Sequence, residues 1–145
     1  GRQITDNGKL LVHYETAQHD PCVLNTVHLS QPVTADSFKT RVSAKATKVK
    51  ALVMDTLSYI PFTSRRDVEL PVVDGVVQCD VEQDVLKMAV LERHHATGHK
   101  ALGFVQGFGI RHGAMASTVA HDAHNLMITT TSSSWATALR IWPWR

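Results

Sequence analysis

Short β-prone runs separated by turn residues recur along this chain, and they restrict its fold more than any other feature. A strand turns successive side chains to opposite faces, so a short apolar or alternating run bounded by Gly, Pro, Asn or Asp reads as a strand between turns. Leu10-Leu11-Val12 follows Asp6-Asn7-Gly8-Lys9, a hairpin-type turn. Phe38, Thr40, Val42 and Ala44 would share one face of a short strand over residues 38–44. Residues 49–54 and 67–71 are expected strands, the second closed by a turn at Asp74-Gly75, after which Val76-Val77 resumes β character. Over residues 85–92 the alternation of Leu86, Met88, Val90 and Glu92 favours a strand, although Val85, Met88 and Ala89 also fit a helical stripe. Leu126-Met127-Ile128 is a further expected strand, whereas residues 15–37 are irregular and broken at Asp20-Pro21 and Gln31-Pro32. The expected class is α+β, sheet-dominated.

Composition narrows the class of partner. The chain has 145 residues, 43% of them apolar, enough for one domain, or a domain plus a fragment, with a real core. Its formal net charge of +2 argues against a broad basic surface for nucleic acid. Lys39, Arg41, Lys45, Lys48 and Lys50 read instead as a solvated face. Cys22 and Cys79 form neither a CxxC pair nor a disulfide framework, so a reduced, cytoplasmic setting is expected. No apolar run of about 18 residues occurs, and no membrane partner is expected. The start at Gly1-Arg2-Gln3, without Met, reads as a cut or processed end and not as a signal peptide.

Histidine is where chemistry concentrates. Six of the nine histidines lie between His94 and His124, and imidazole is the usual proton carrier near neutral pH and the commonest metal ligand. His121-Asp122-Ala123-His124-Asn125 packs two imidazoles, a carboxylate and an amide into one short stretch between apolar segments. On a straight strand His121 and His124 would diverge; on a bend, which Asp122 and Asn125 favour, they converge. Converged, they suit a metal with Asp122 behind them, or proton transfer. The competing reading is a polar turn with solvated histidines. Glu92-Arg93-His94-His95 with Thr97-Gly98-His99 is a second cluster, open to reading as a site carboxylate with one facing imidazole or as a strand end with an Arg–Glu pair. In Gly103-Phe104-Val105-Gln106-Gly107-Phe108-Gly109 the glycines suggest unusual dihedrals or close backbone approach. There Phe104 and Phe108 fit an apolar contact on a helical turn, and an aromatic ring stacked on a flat heterocycle is the sharper alternative. GxSxG, HExxH, phosphate-loop and HxE…PCxxC patterns are all missing, as is an HxH pair.

The same residues carry a family likeness. Asp84-Val85-Leu86-Lys87-Met88-Ala89-Val90-Leu91-Glu92-Arg93-His94 running on through Thr97-Gly98, then Gly103 to Gly109, then Gly113-Ala114-Met115-Ala116-Ser117-Thr118-Val119-Ala120-His121-Asp122-Ala123-His124-Asn125, occur in an order that resembles the C-terminal region of bacterial adenine deaminases of the amidohydrolase superfamily. The likeness is specific over about residues 80–128 and looser before them. It implies a parent that hydrolyses adenine to hypoxanthine and ammonia, with a metal-bearing (β/α)₈ barrel holding Mn or Fe, a small β-sandwich, and a homo-oligomeric assembly. The barrel ligands would lie upstream of Gly1. Against such a barrel the 121–125 loop would close the site: His121 and His124 as proton shuttles or ligands of an accessory metal, Asp122 orienting an imidazole, Asn125 pairing with a purine nitrogen or holding the bend. Glu92 would be the neighbouring carboxylate and Phe104 the substrate-contacting ring. A non-catalytic metal- or purine-binding module and a structural barrel cap are the rivals. The expected division is residues 1–30 as a strand fragment of a preceding β-sandwich plus linker, 31–128 as the domain, and 129–145 as an atypical tail, frame-shifted or disordered.

Overall fold

Two residue pairs with positive φ build the tight turns of the chain. Asn7 and Gly8 take φ of 46° and 75°, and Asp74 and Gly75 take 50° and 71°. Positive φ at both central positions is what a two-residue hairpin of the type I′ kind requires, and Asn-Gly and Asp-Gly supply it at little steric cost. The first turn joins β1 (Thr5–Asp6) to β2 (Lys9–Leu10); the second joins β4 (Thr63–Val73) to β5 (Val76–Val77). The computed structural model describes residues 1–13, 15, 18–56, 62–119 and 122–134.

The remaining strands are β3 (Lys48–Thr56), β6 (Val85–Leu91), β7 (Lys100–Gln106), β8 (Ala114–Ser117) and β9 (Leu126–Thr130). They form a seven-stranded sheet in the order β5-β4-β3-β7-β6-β9-β8, while β1 and β2 pair only with each other. Neighbours in the large sheet are antiparallel except β3 and β7, which run parallel with Val53 opposite Phe104. The domain is sheet-rich; short 3-10 turns stand at Pro21–Val23 and Ala35–Phe38, and Ser133 and Ser134, the last described residues, are helical.

Register decides which residues form the core. One face carries Val53, Val68, Leu70, Val85 and Phe104 in one cluster, and Ala89, Leu91, Leu126 and Ile128 with Phe38 in another. The segment before β3 covers this face: Val27, Leu29 and Val33 pack beside Phe38, and Val42 packs on the first cluster. Phe38 is delivered by the Ala35–Phe38 turn, which starts with the Thr34 backbone N–H donating to Ser37 Oγ at 3.1 Å. Packing on the sheet thus begins before residue 31, and β9 continues past Ile128 through Thr129 and Thr130, both buried. The opposite face carries all four methionines, Met54, Met88, Met115 and Met127, beside Leu52, Val90 and Val105. At its β3–β4 end that face is charged, with Lys50 and Asp67 3.1 Å apart and Lys48 and Glu69 3.9 Å apart. The lysines of this region are therefore a solvated face.

Two local expectations are corrected. Residues 38–44 are no strand: the chain leaves the 3-10 turn, and Arg41 makes one isolated bridge to Val76. Asp36 fixes this course by taking Lys39 and Arg41 as ion partners, each at 2.9 Å. Phe104 and Phe108 do not share a helical turn, because residues 100–106 are an extended strand. The glycines beyond it do have unusual dihedrals. Gly107 has φ of 102°, and a Cβ there would sit 2.3 Å from Thr56 Oγ1 and 2.6 Å from Thr56 O. The Asp84 carboxylate accepts from the Gly107 and Gly109 N–H groups at 2.9–3.0 Å, closing the loop after β7.

Candidate functional site

The alternation along β6 places Val85, Lys87, Ala89 and Leu91 on the covered face, and the next residue of that parity is Arg93. Its side chain is 9% exposed. Nε donates to the His124 carbonyl and Nη1 to the Thr26 carbonyl, each at 2.5 Å, while the Arg93 carbonyl accepts from the His28 N–H at 2.8 Å. No carboxylate of the described residues forms an ion pair with this guanidinium. The Arg–Glu pair expected at the strand end does not form.

Glu92 faces the other way and is committed to its own loop. Its carboxylate accepts from the backbone N–H groups of His94 (2.5 Å), His95 (2.9 Å) and Thr97 (3.0 Å), and from the Thr97 hydroxyl (3.0 Å). Those donors, the Thr97 N–H foremost, pull its pKa from 4.5 down to about 2. Hydrogen bonds to the charged form of a carboxylate stabilise that form. A carboxylate so held stays ionised near neutral pH, with its acceptor positions taken by its own loop.

The loop ordered by Glu92 presents His94, whose Nε2–H donates to the Ala123 carbonyl at 2.7 Å. Arg93 and His94 therefore grip consecutive carbonyls of the 122–125 turn. Within that turn His124 takes φ of 47°, a left-handed conformation uncommon for non-glycine residues, though His, like Asn and Asp, adopts it more readily than most. Its exposed ring approaches the Thr118 carbonyl through Nδ1 at 3.3 Å. With the proton on Nδ1, the lone pair of Nε2 is left for another partner. Asp122 is exposed. Asn125 is half-buried, and its Oδ1 is buried with no hydrogen-bond partner among the described residues, a cost of roughly 1–3 kcal/mol that a stable protein usually avoids. His121 lies outside the described residues.

Phe104, expected to contact a substrate, is 7% exposed and packed among Val53, Val68 and Val85. Its ring serves the core. Beyond the Glu92 loop, Leu29, Ser30, Pro32, Thr97, Gly98, His99 and Lys100 line an open cleft of about 350 Å³. Among the described residues no three His, Cys, Asp or Glu side chains gather as a metal centre would need. The described part thus does not fit the Mn or Fe that the resemblance implies. An accessory metal held by His121 and His124 would depend on His121.

Sequence reasoning named Glu92, Asp122, His124 and Asn125 and set Glu92 beside the 121–125 loop, but it read Arg93 only as a partner for Glu92. The available signal was parity: an arginine two residues after Leu91, on the apolar face of a strand, has to be buried or to bend away.

The family described as "Adenine deaminase C-terminal domain" matches residues 61–140. A relative named adenine deaminase from Clostridium botulinum (strain Langeland) is 42% identical over 132 residues, covering 91% of this chain and 22% of its own length. One from Moorella thermoacetica is 43% identical over 128 residues, and one from Methanothrix thermoacetophila 32% over 128 residues, each match covering 88% of this chain and 22% of the relative. The chain spans about a fifth of the length of the curated relatives it matches.

Proposed function

Because the chain belongs to the adenine deaminase C-terminal domain family, we propose that it serves an enzyme that hydrolyses adenine to hypoxanthine and ammonia. The observation that carries this reading is the match to proteins named adenine deaminase over 88–91% of this chain. In the reaction, water adds at C6 of the purine and ammonia leaves. A metal centre in the remainder of the enzyme, holding Mn or Fe, would activate that water; the part played by this chain is proton handling and enclosure.

The 121–125 loop is the proposed contact with the reacting site. An imidazole with a free Nε2 lone pair, as His124 has when Nδ1–H faces Thr118, can collect a proton and pass it to the departing ammonia. His121 would act with it, as a second proton carrier or as co-ligand of an accessory metal, and Asp122 would orient one of the two rings. Asn125 would pair with a purine nitrogen or hold the bend of the loop. A loop laid over the mouth of a barrel would also keep bulk water from the reacting atoms.

The wider arrangement follows from this reading. The β1–β2 hairpin, which pairs with nothing in the large sheet, would be a fragment of a preceding β-sandwich. The complete domain would be α+β, and the parent a cytoplasmic homo-oligomer. Among the described residues no helix is long and apolar enough to cross a membrane. A second reading, a purely structural cap on the barrel, is favoured by the apolar sheet face, on which Leu52 and Met115 are 56% and 42% exposed.

The test is ammonia release from adenine by the full-length, Mn-loaded protein and by this chain alone. Turnover by the full-length protein with none from the chain alone is the expected result. A full-length protein that releases no ammonia from adenine overturns the reading.

A further inference from the structure

We infer that Arg93 and His94 are positioning residues, which fix the backbone of the 122–125 turn and so the directions in which His124 and Asn125 point. Four observations converge on this. Arg93 Nε and His94 Nε2 donate to the consecutive carbonyls of His124 and Ala123, at 2.5 Å and 2.7 Å. His124 sits at φ of 47°, a conformation that an L-residue keeps only where the surroundings over-determine it. The Arg93 side chain is nearly buried, with carbonyls as its partners and no carboxylate among the described residues. A guanidinium that serves only stability is normally matched by a carboxylate when buried; here its fork is spent on backbone oxygens of two segments distant in sequence. Glu92 completes the device from behind, since it orders the loop that aims the His94 ring.

The geometry makes three consecutive residues at the end of β6 a clamp. Glu92 shapes the loop, Arg93 ties the turn to the segment at Thr26, and His94 holds Ala123. A change at either gripping residue leaves the chemistry of His124 intact and alters where its ring is presented. The clamp itself rests on the observed contacts; its effect on turnover rests on the proposed deaminase role of the loop.

The experiment uses the full-length, metal-loaded enzyme with His94→Ala, His94→Gln, Arg93→Lys, His124→Ala and the His94→Ala/His124→Ala double variant. Two quantities are read: hydrogen–deuterium exchange of the segment spanning residues 118–126, and kcat and KM for adenine. With the clamp in place, His94→Ala and Arg93→Lys speed exchange in that segment about tenfold, the order expected for losing one hydrogen bond to the turn. Exchange in β4 stays unchanged, which separates the effect from misfolding. The same variants lower kcat with KM little changed, and Gln, which keeps a side-chain N–H donor, restores much of both losses. The double variant loses less than the product of the two single losses, because part of what His94 does passes through His124. Unchanged exchange at 118–126 in His94→Ala and Arg93→Lys overturns the clamp, as do losses in kcat that multiply in the double variant. Faster exchange with near-normal turnover in His124→Ala supports the clamp and overturns the catalytic role of the loop, so the two claims fail separately.

Discussion

Glu92 carries a carboxylate surrounded by donors from the five residues after it, and its stability contribution has a definite pH dependence. Its folded-state pKa of about 2 lies below the ordinary 4.5. The interaction therefore contributes fully above about pH 4.5 and fades as pH falls toward about 2. Replacing Glu92 by Gln should lower the thermal midpoint of the protein near neutral pH, and the gap to the unaltered protein should narrow as pH falls through that window. Melting curves from pH 7 to pH 2.5 check this; a gap independent of pH would show that the carboxylate charge is not what holds the loop. At the level of single residues, the sequence identified this carboxylate and the His124 turn but not what they bond to. Residue type and spacing show that Glu92 can accept protons or hydrogen bonds. Only the return of the chain at His94, His95 and Thr97 decides that its acceptors are already used. Phe104 teaches the same lesson, since its ring faces the core because its strand lies against β3.

Among the elements, those with two-residue turns or clear alternation were legible. The Asn-Gly and Asp-Gly hairpins, β3, β4 and β6 all appear where local chemistry put them. Residues 38–44 were misread because alternation of Phe38, Thr40 and Val42 does not register the Asp36 contacts that turn the chain. The strand β7 was hidden behind its glycines, whose dihedral freedom is used only after the strand ends. Gly107 gives the sharpest test at this scale. Ala at Gly109, where φ is 65° and no atom lies within 4 Å of a built Cβ, should cost only the left-handed backbone term of about 1–2 kcal/mol. Ala at Gly107 adds a collision with the Thr56 backbone, so its cost in urea unfolding should exceed that of Gly109→Ala and reach about 3 kcal/mol. Equal costs would mean that β3 and the loop after β7 can separate freely.

For the whole molecule, the sheet presents two unequal faces. One is covered by the segment from Val27 to Val42. The other carries the four methionines, with Leu52 and Met115 exposed. Flexible apolar side chains gathered on one face are typical of surfaces that meet a partner. In isolation this chain should self-associate, and Leu52→Lys combined with Met115→Lys should shift it toward monomer in sedimentation; a clean monomer before substitution would contradict that. What covers that face could not be read from the sequence, because strand alternation assigns a side chain to a face without saying what packs on it. The central claim, that this domain brings the 121–125 loop to the chemistry of adenine hydrolysis, is tested most directly by the rate of ammonia release from adenine in the full-length, Mn-loaded protein and its His121→Ala and His124→Ala variants. The account predicts turnover by the unaltered enzyme and a loss on the order of 10²-fold or more in at least one variant, with the fold intact. Near-normal turnover in both variants would contradict it.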